Sequence, residues 1–286
     1  MERRTYGKHD VELSVVGFGG ILVTNETAEE AARRVGIAID RGVNYFDVAP
    51  SYGNAEDMLG PALEPYRDEA FLACKTTKRD AQGAEHEFRT SLEKLRTDHI
   101  DLYQIHGIQT EEEVDQVLAP DGALSLYRRL REAGDIRFIG FSAHNENAAL
   151  RLLSSFEFDS VLFPINWAAW HAGGIGPRIV EAAAARGTAI LALKALAITR
   201  WKEHEPRSWN KTWYRPADTR EEAERGIRFT LSRPVVAAVS PGHIEHFVWA
   251  CDAADRFVPL SEAEEREIET LARSTEPIFS RTVTAI

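Results

Sequence analysis

Cysteine is nearly missing. The 286 residues hold two, Cys74 and Cys251, too few for a disulfide framework, and neither sits in the CxxC or Cys/His spacing of a zinc site. No metal-ligating set is expected, and both thiols read as small buried hydrophobes. Long apolar runs are also missing. Nowhere do about 18 uninterrupted apolar residues occur, and the opening MERRTYGKHDVELSVV has charge but no continuous apolar stretch. Positive charge is in deficit, with 34 Lys and Arg against 45 Asp and Glu, a formal net charge of -11. Phosphate backbones and anionic lipid surfaces demand clustered cations, so neither nucleic acid nor a membrane is an expected partner. A cytoplasmic protein is the expectation. Linkers rich in Gly, Pro or Ser are absent too, which favours one domain over 1–286.

What recurs is a unit: a short apolar, β-branched run, a loop, then an amphipathic helical pattern. The runs are VVGFGG, VNYFDVA, AFLACKT, DLYQIHG, RFIGFSA, SVLFPIN, TAILALKA and VAAVSP. Segments such as TAEEAARRVGIAIDRG, AEHEFRTSLEKLRTD and TREEAERGIRFTLSR fall between them with helical periodicity. Near-continuous apolar strands alternating with helices indicate a parallel sheet covered on its outer face, and eight units predict a closed (β/α)8 barrel of the α/β class. A dinucleotide-binding open sheet fits less well, because GFGGILVT lacks the G-x-G-x-x-G turn. Two extras flank the barrel. RTYGKHDVELS predicts a hairpin on the barrel floor with Gly7 in its turn. SEAEEREIETLARS predicts an extra C-terminal helix opened by a Ser261/Glu264 capping box.

In such a barrel the chemistry lies at the carboxyl ends of the strands. Seven of the eight strands have an odd polar residue there: Asp47, Lys75, His106, Ser142, Asn166, Lys194 and Ser240. One alone is ordinary, but seven on one rim point to a site. Burial of a lone charge is costly, so Asp47 and Lys75 are expected to pair across neighbouring strands. A cationic Lys75 beside Tyr52 is expected to pull the phenol down from about 10, which suits a general acid. His106 then suits a hydrogen bond to a bound carbonyl oxygen. Such a site has a proton donor but no visible reductant.

These segments resemble the aldo-keto reductases. FDVAPSYG is similar to that family's DTAxxYG segment, LACKTT to its catalytic-lysine strand, DLYQIHG to its catalytic-histidine strand, and IGFSAHN to its cofactor-binding serine segment. The resemblance implies NAD(P)H-dependent reduction of a small carbonyl compound, with Asp47, Tyr52, Lys75 and His106 as the catalytic set. It implies that Ser142 binds the nicotinamide carboxamide, with Asn166 standing in for the glutamine usual on the sixth strand. The aromatic common at the end of the seventh strand is replaced by Lys194, which is expected to meet a cofactor phosphate or a loop carboxylate. Gly19, Ser240, Gly242 and His243 complete the expected cofactor contacts. NADP(H) is favoured over NAD(H), although SPGHIEHF offers no Arg or Lys for a 2′-phosphate. The oligomeric state stays open.

Two rival readings remain. Lys75 or Lys194 on a barrel strand also suits a Schiff-base nucleophile of an aldolase-type enzyme, and some relatives of the family are non-catalytic cofactor-binding subunits. The longest irregular piece, Ala195 to Pro216, carries Trp201, Trp209 and Trp213. It is expected either to line the pocket as a lid or to pack its own aromatics against the barrel. Trp167, Trp170 and His171 are a second candidate pocket wall.

Overall fold

The computed structural model describes residues 1–281. The chain opens with an antiparallel hairpin, β1 (Arg3–Thr5) and β2 (Glu12–Ser14), with Arg3 opposite Ser14. Its turn needs Gly7: φ is +59°, and a Cβ there would lie 2.7 Å from Gly187 O. Tyr6, fully buried, is carried by this hairpin into the barrel floor, its ring 5.3 Å from that of Phe71 and 5.1 Å from that of Phe138.

Eight parallel strands form the barrel. Seven are β3 (Val16–Gly19), β4 (Tyr45–Asp47), β5 (Phe71–Thr76), β6 (Ile100–Ile108), β7 (Ile136–Ala143), β8 (Ser160–Pro164) and β9 (Ala189–Leu193). Two short strands, β10 (Ala197–Arg200) and β11 (Tyr214–Pro216), pair outside the barrel. The eighth barrel strand, β12 (Ala237–Val239), pairs with β9 on one side and with β3 on the other, which closes the ring. The expected strands, hairpin and capped final helix (Glu262–Ala272) are all present.

Strand side chains alternate, so one parity fills the barrel and the other meets the helices. Inside, Tyr6, Tyr45, Phe71, Ala73, Leu102, Phe138, Leu162, Leu191 and Ala237 make an apolar plug. Outside, Cys74, Tyr103, Ile105, Phe141 and Phe163 pack under Val35, Leu59, Phe88, Tyr127 and Leu152 of the helix layer. Burial of each large apolar side chain is worth roughly 1.5–3 kcal/mol before the entropy of ordering is subtracted. Both thiols lie in this outer layer, and burial pushes Cys251 up to about 12. Polar first residues set the helix starts: Thr27, Asp80, Asn145, Thr219 and Ser261 each accept a backbone N–H of the first turn.

Part of the segment read as irregular is ordered into the β10–β11 ribbon. Ala197 and Tyr214 bury against Ile278 and Phe279 of the C-terminal tail, which gives this short ribbon the apolar face a free hairpin lacks. Among the described residues no helix is long and apolar enough to cross a membrane.

Candidate active site

Above the apolar plug the inward parity turns polar. Asp47 follows Tyr45 by two residues on β4, Lys75 follows Ala73 on β5, and Gln104 and His106 follow Leu102 on β6. Register places Lys75 beside Gln104 and Asp47 beside Ala73. All three strands end on one side of the mouth, so their polar ends converge.

Lys75 is wholly buried and its ammonium bonds Asp47 Oδ1 directly, with a second hydrogen bond to Val48 O at 3.1 Å. Asp47 Oδ2 accepts from Gln104 Nε2 at 3.0 Å and from the Tyr45 hydroxyl at 3.1 Å. The carboxylate is thus fully engaged, as a buried charge must be. Burial is the largest influence on the Lys75 ammonium and pulls it down, but the Asp47 charge, the neighbouring Tyr52 and the hydrogen bond to Asp47 together outweigh it and the net direction is up. Lys75 is held as a cation, 5.4 Å from the centroid of the Tyr52 ring.

Tyr52 departs from expectation. Burial is the largest influence on its phenol and raises it. Lys75 pulls it down, Asp47 pushes it up again, and the net direction is above the ordinary value. The lysine alone would lower it, but burial outweighs the lysine and the carboxylate it carries adds to the rise. In this cleft Tyr52 therefore holds its proton at neutral pH.

His106 packs edge-on against Tyr52, with ring centroids 5.7 Å apart, and its Nδ1 is 3.3 Å from Ser51 Oγ. Burial first, then the positive charge of Lys75, holds it down to about 3. A neutral imidazole results, able to donate one hydrogen bond.

These groups open into a cleft of about 280 Å³. Gly19, Asp47, Tyr52, Lys75, His106, Ser142, Lys194, Ser240 and Gly242 all line it, as the rim positions suggest. Ser142 Oγ accepts Gly107 N–H at 2.7 Å and keeps its own proton to donate; Ser240 Oγ accepts Gly19 N–H at 3.2 Å. Both glycines answer to crowding within the protein. A Cβ on Gly19 would lie 2.4 Å from Ser240 O, and one on Gly242 2.4 Å from Ile21 Cγ2.

Two expected contacts lie elsewhere. Asn166 is not part of the lining: past Pro164 the chain turns into the helix Trp167–His171, and Asn166 Oδ1 caps it through Ala169 N at 2.9 Å. Leu162 faces the cleft from that strand instead. His243 is also outside; its Nε2 accepts Lys211 N–H at 3.1 Å and its ring packs on Trp209. Trp167, Trp170 and His171 pack around Phe229 and the final helix, away from the cleft. Lys194 meets no loop carboxylate among the described residues; its ammonium lies 4.8 Å from the Tyr214 ring and 5.5 Å from the Trp213 ring.

Other lining residues escape the sequence reading. His144, directly after IGFSA, stacks on Phe279 with centroids 5.0 Å apart and is held down to about 4 by burial and then by Lys194. Lys211 reaches the cleft from the long loop and pairs with Glu26 at 2.5 Å. Gln104, which holds Asp47 from below without lining the cleft, had a signal, a polar residue inside a buried strand two positions before His106; Lys211 had none. Among the described residues no His, Cys, Asp and Glu cluster could hold a metal ion.

The Aldo/keto reductase family pattern matches residues 15–272 of the chain. The uncharacterized oxidoreductase YqkF of Bacillus subtilis (strain 168) is 29% identical over 176 residues, 57% of this chain and 55% of that protein. The aldo-keto reductase YhdN of the same organism is 30% identical over 161 residues, 50% of this chain and 47% of that one. The chain spans about half the length of the curated relatives it matches. In fold it is similar to the aldo-keto reductase AKR11C1 from Bacillus halodurans in its holo form, with a TM-score of 0.76 at 22% identity, covering 97% of this chain and 98% of that one. On a family match that takes in all eight barrel strands and the polar rim above them, this chain belongs to the aldo/keto reductase family.

Proposed function

We propose that the chain reduces an aldehyde or ketone to the alcohol with NAD(P)H, Tyr52 giving the proton. The observation that carries this reading is the convergence of Tyr52, His106 and the buried Asp47–Lys75 pair on one cleft. The cleft also fits a nicotinamide: Leu162, Leu193 and Val239 offer an apolar floor, Trp213 and Tyr214 a wall, and Ser142 a spare hydroxyl proton. When bound there, a reduced nicotinamide supplies the hydride that the carbonyl carbon gains. His106, neutral, donates to the carbonyl oxygen and fixes its direction. Tyr52 transfers its proton to that oxygen as charge develops, and the adjacent Lys75 cation stabilises the phenolate left behind until solvent returns a proton. Asp47 keeps Lys75 charged and in place, with Gln104 and Tyr45 holding the carboxylate.

At the other end of the cleft, Gly242 and Ser240 would approach the cofactor's phosphates. Lys211 beside them, paired with Glu26 in this structure, would exchange that carboxylate for the 2′-phosphate, the reading that favours NADPH over NADH. A Schiff base at Lys75 is disfavoured, because Asp47 holds that amine protonated and a nucleophile must be neutral. For Lys194, absence of a borohydride-trapped adduct with a carbonyl compound is expected.

The test is Tyr52→Phe. Turnover of a neutral aldehyde should fall by about 10²-fold or more, the ordinary worth of a positioned acid. NADPH binding, followed by quenching of tryptophan fluorescence, should stay within about twofold. Undiminished turnover in that variant would remove Tyr52 as the acid.

A further inference from the structure

The charges lining the cleft do not balance. Its described lining has one acid, Asp47, and three lysines. Lys75 is matched by Asp47 and Lys211 by Glu26. Lys194 has no carboxylate partner among the described residues. Its ammonium lies over the adjoining Tyr214 and Trp213 rings, which attract a cation without neutralising it. An unmatched ammonium in a half-buried cleft is costly. Its backbone adds to the cost, since φ is +67°, a left-handed conformation that lysine seldom adopts. A cation kept under both penalties, in a concave site, is complementary to an anion the protein does not supply.

Position says which part of the cleft the anion occupies. Tyr214, one of the two rings on Lys194, lines the same cleft as Tyr52 and His106. Trp213, the other, meets Phe279 edge-on at 5.8 Å, and Phe279 stacks on His144. Trp213, Phe279 and His144 therefore link Lys194, at the end of β9, to the cleft wall shared with Tyr52 and His106, while β12, which leads to Ser240 and Gly242, is the strand beside β9.

We propose that Lys194 is the specificity-determining residue of this site and that its substrates are carbonyl compounds bearing a carboxylate a few bonds from the C=O. The proposal rests on the reductase reading above and names its substrate class. The carboxylate sits on Lys194 against Trp213 and Tyr214, which places the carbonyl toward Tyr52 and His106.

Two substrates of equal reach decide it: 4-oxobutanoate and its neutral methyl ester, reduced with NADPH by the intact protein. The wild type should favour the carboxylate in kcat/KM. Lys194→Met should lower the carboxylate-to-ester ratio by about tenfold or more, mainly through KM, and Lys194→Arg should restore most of it. A readout independent of turnover is calorimetric titration of the NADP⁺-loaded protein with succinate, expected to saturate for wild type and Lys194→Arg and to vanish for Lys194→Met. An unchanged ratio overturns the proposal. So does a loss of NADPH affinity in Lys194→Met that matches the loss of activity, since the cation then serves a cofactor phosphate. If the wild type reduces neither aldehyde while succinate binding still depends on Lys194, the reductase reading falls and the anion site stands. If both aldehydes are reduced equally and succinate does not bind, the reverse holds.

Discussion

Two histidines at the cleft, His106 and His144, are neutral in the folded chain down to about 3 and about 4. In the unfolded chain each takes up a proton near 6.5. Below that pH the folded state binds fewer protons than the unfolded one, so stability falls as pH drops from about 6.5 toward those values. The effect is at most about 1.4 kcal/mol per pH unit for each histidine. Thermal melts should show a clearly lower Tm at pH 5 than at pH 7, and His144→Gln should shrink that difference; equal slopes in the two proteins would refute this origin. The same residues show what a sequence discloses. Asp47 and Lys75 stood out because a charge inside an apolar run must be matched by another nearby. Asn166 stood out equally and proved to be a helix cap, because a position on the rim does not tell whether the chain continues inward or turns away. The direction for Tyr52 differs from the expectation for a related reason: burial, Lys75 and Asp47 act on it in opposing directions, and only the folded geometry decides the sum. Lys211 was invisible, being delivered to the cleft by a loop whose path no local pattern encodes.

At the level of elements, the eight strands and the helices that cover them follow from periodicity, since burial on one or both faces leaves a mark in every turn of the chain. The Ala195–Pro216 segment carries no such period. Its order comes from single anchors: Trp209 packs on His246 with centroids 4.2 Å apart and donates to Asp218, Trp201 donates to Thr212 O, and Trp213 alone of the three lines the cleft, 51% exposed. Both expected behaviours are therefore divided among its tryptophans. The segment reaches past β12 through Lys211, which bonds Glu26 and Leu22 O in the stretch that follows β3. Glu26→Gln removes the charge on which that bridge depends. Cofactor release measured by stopped-flow should become severalfold faster, and trypsin cleavage at Lys211 should accelerate, with melting temperature changed little. Identical release rates would show that the bridge is only a surface pair.

For the molecule as a whole, stability and chemistry sit at opposite ends of the barrel. Tyr6 closes the floor, far from Tyr52 at the mouth, and its ring is surrounded by His9, Phe71 and Phe138. Tyr6→Ala should destabilise the protein by about 3 kcal/mol or more through the cavity it leaves, read as a lower denaturation midpoint, while turnover at 25 °C stays near that of the wild type. A matching loss of turnover would mean that the two ends are coupled. The hairpin that carries Tyr6 has a further consequence during biosynthesis. Arg4 donates to Leu231 O, 227 positions along the chain, at 3.0 Å, and β3 finds its second neighbour only when β12 exists. At ribosomal rates of ~5–20 residues per second, that interval lasts roughly 10–45 s. Throughout it the nascent chain carries an uncovered floor and an unpaired β3 edge, a template for pairing with other chains. Ring closure is therefore a late event of translation, and the exposed seam is where chaperone protection matters most.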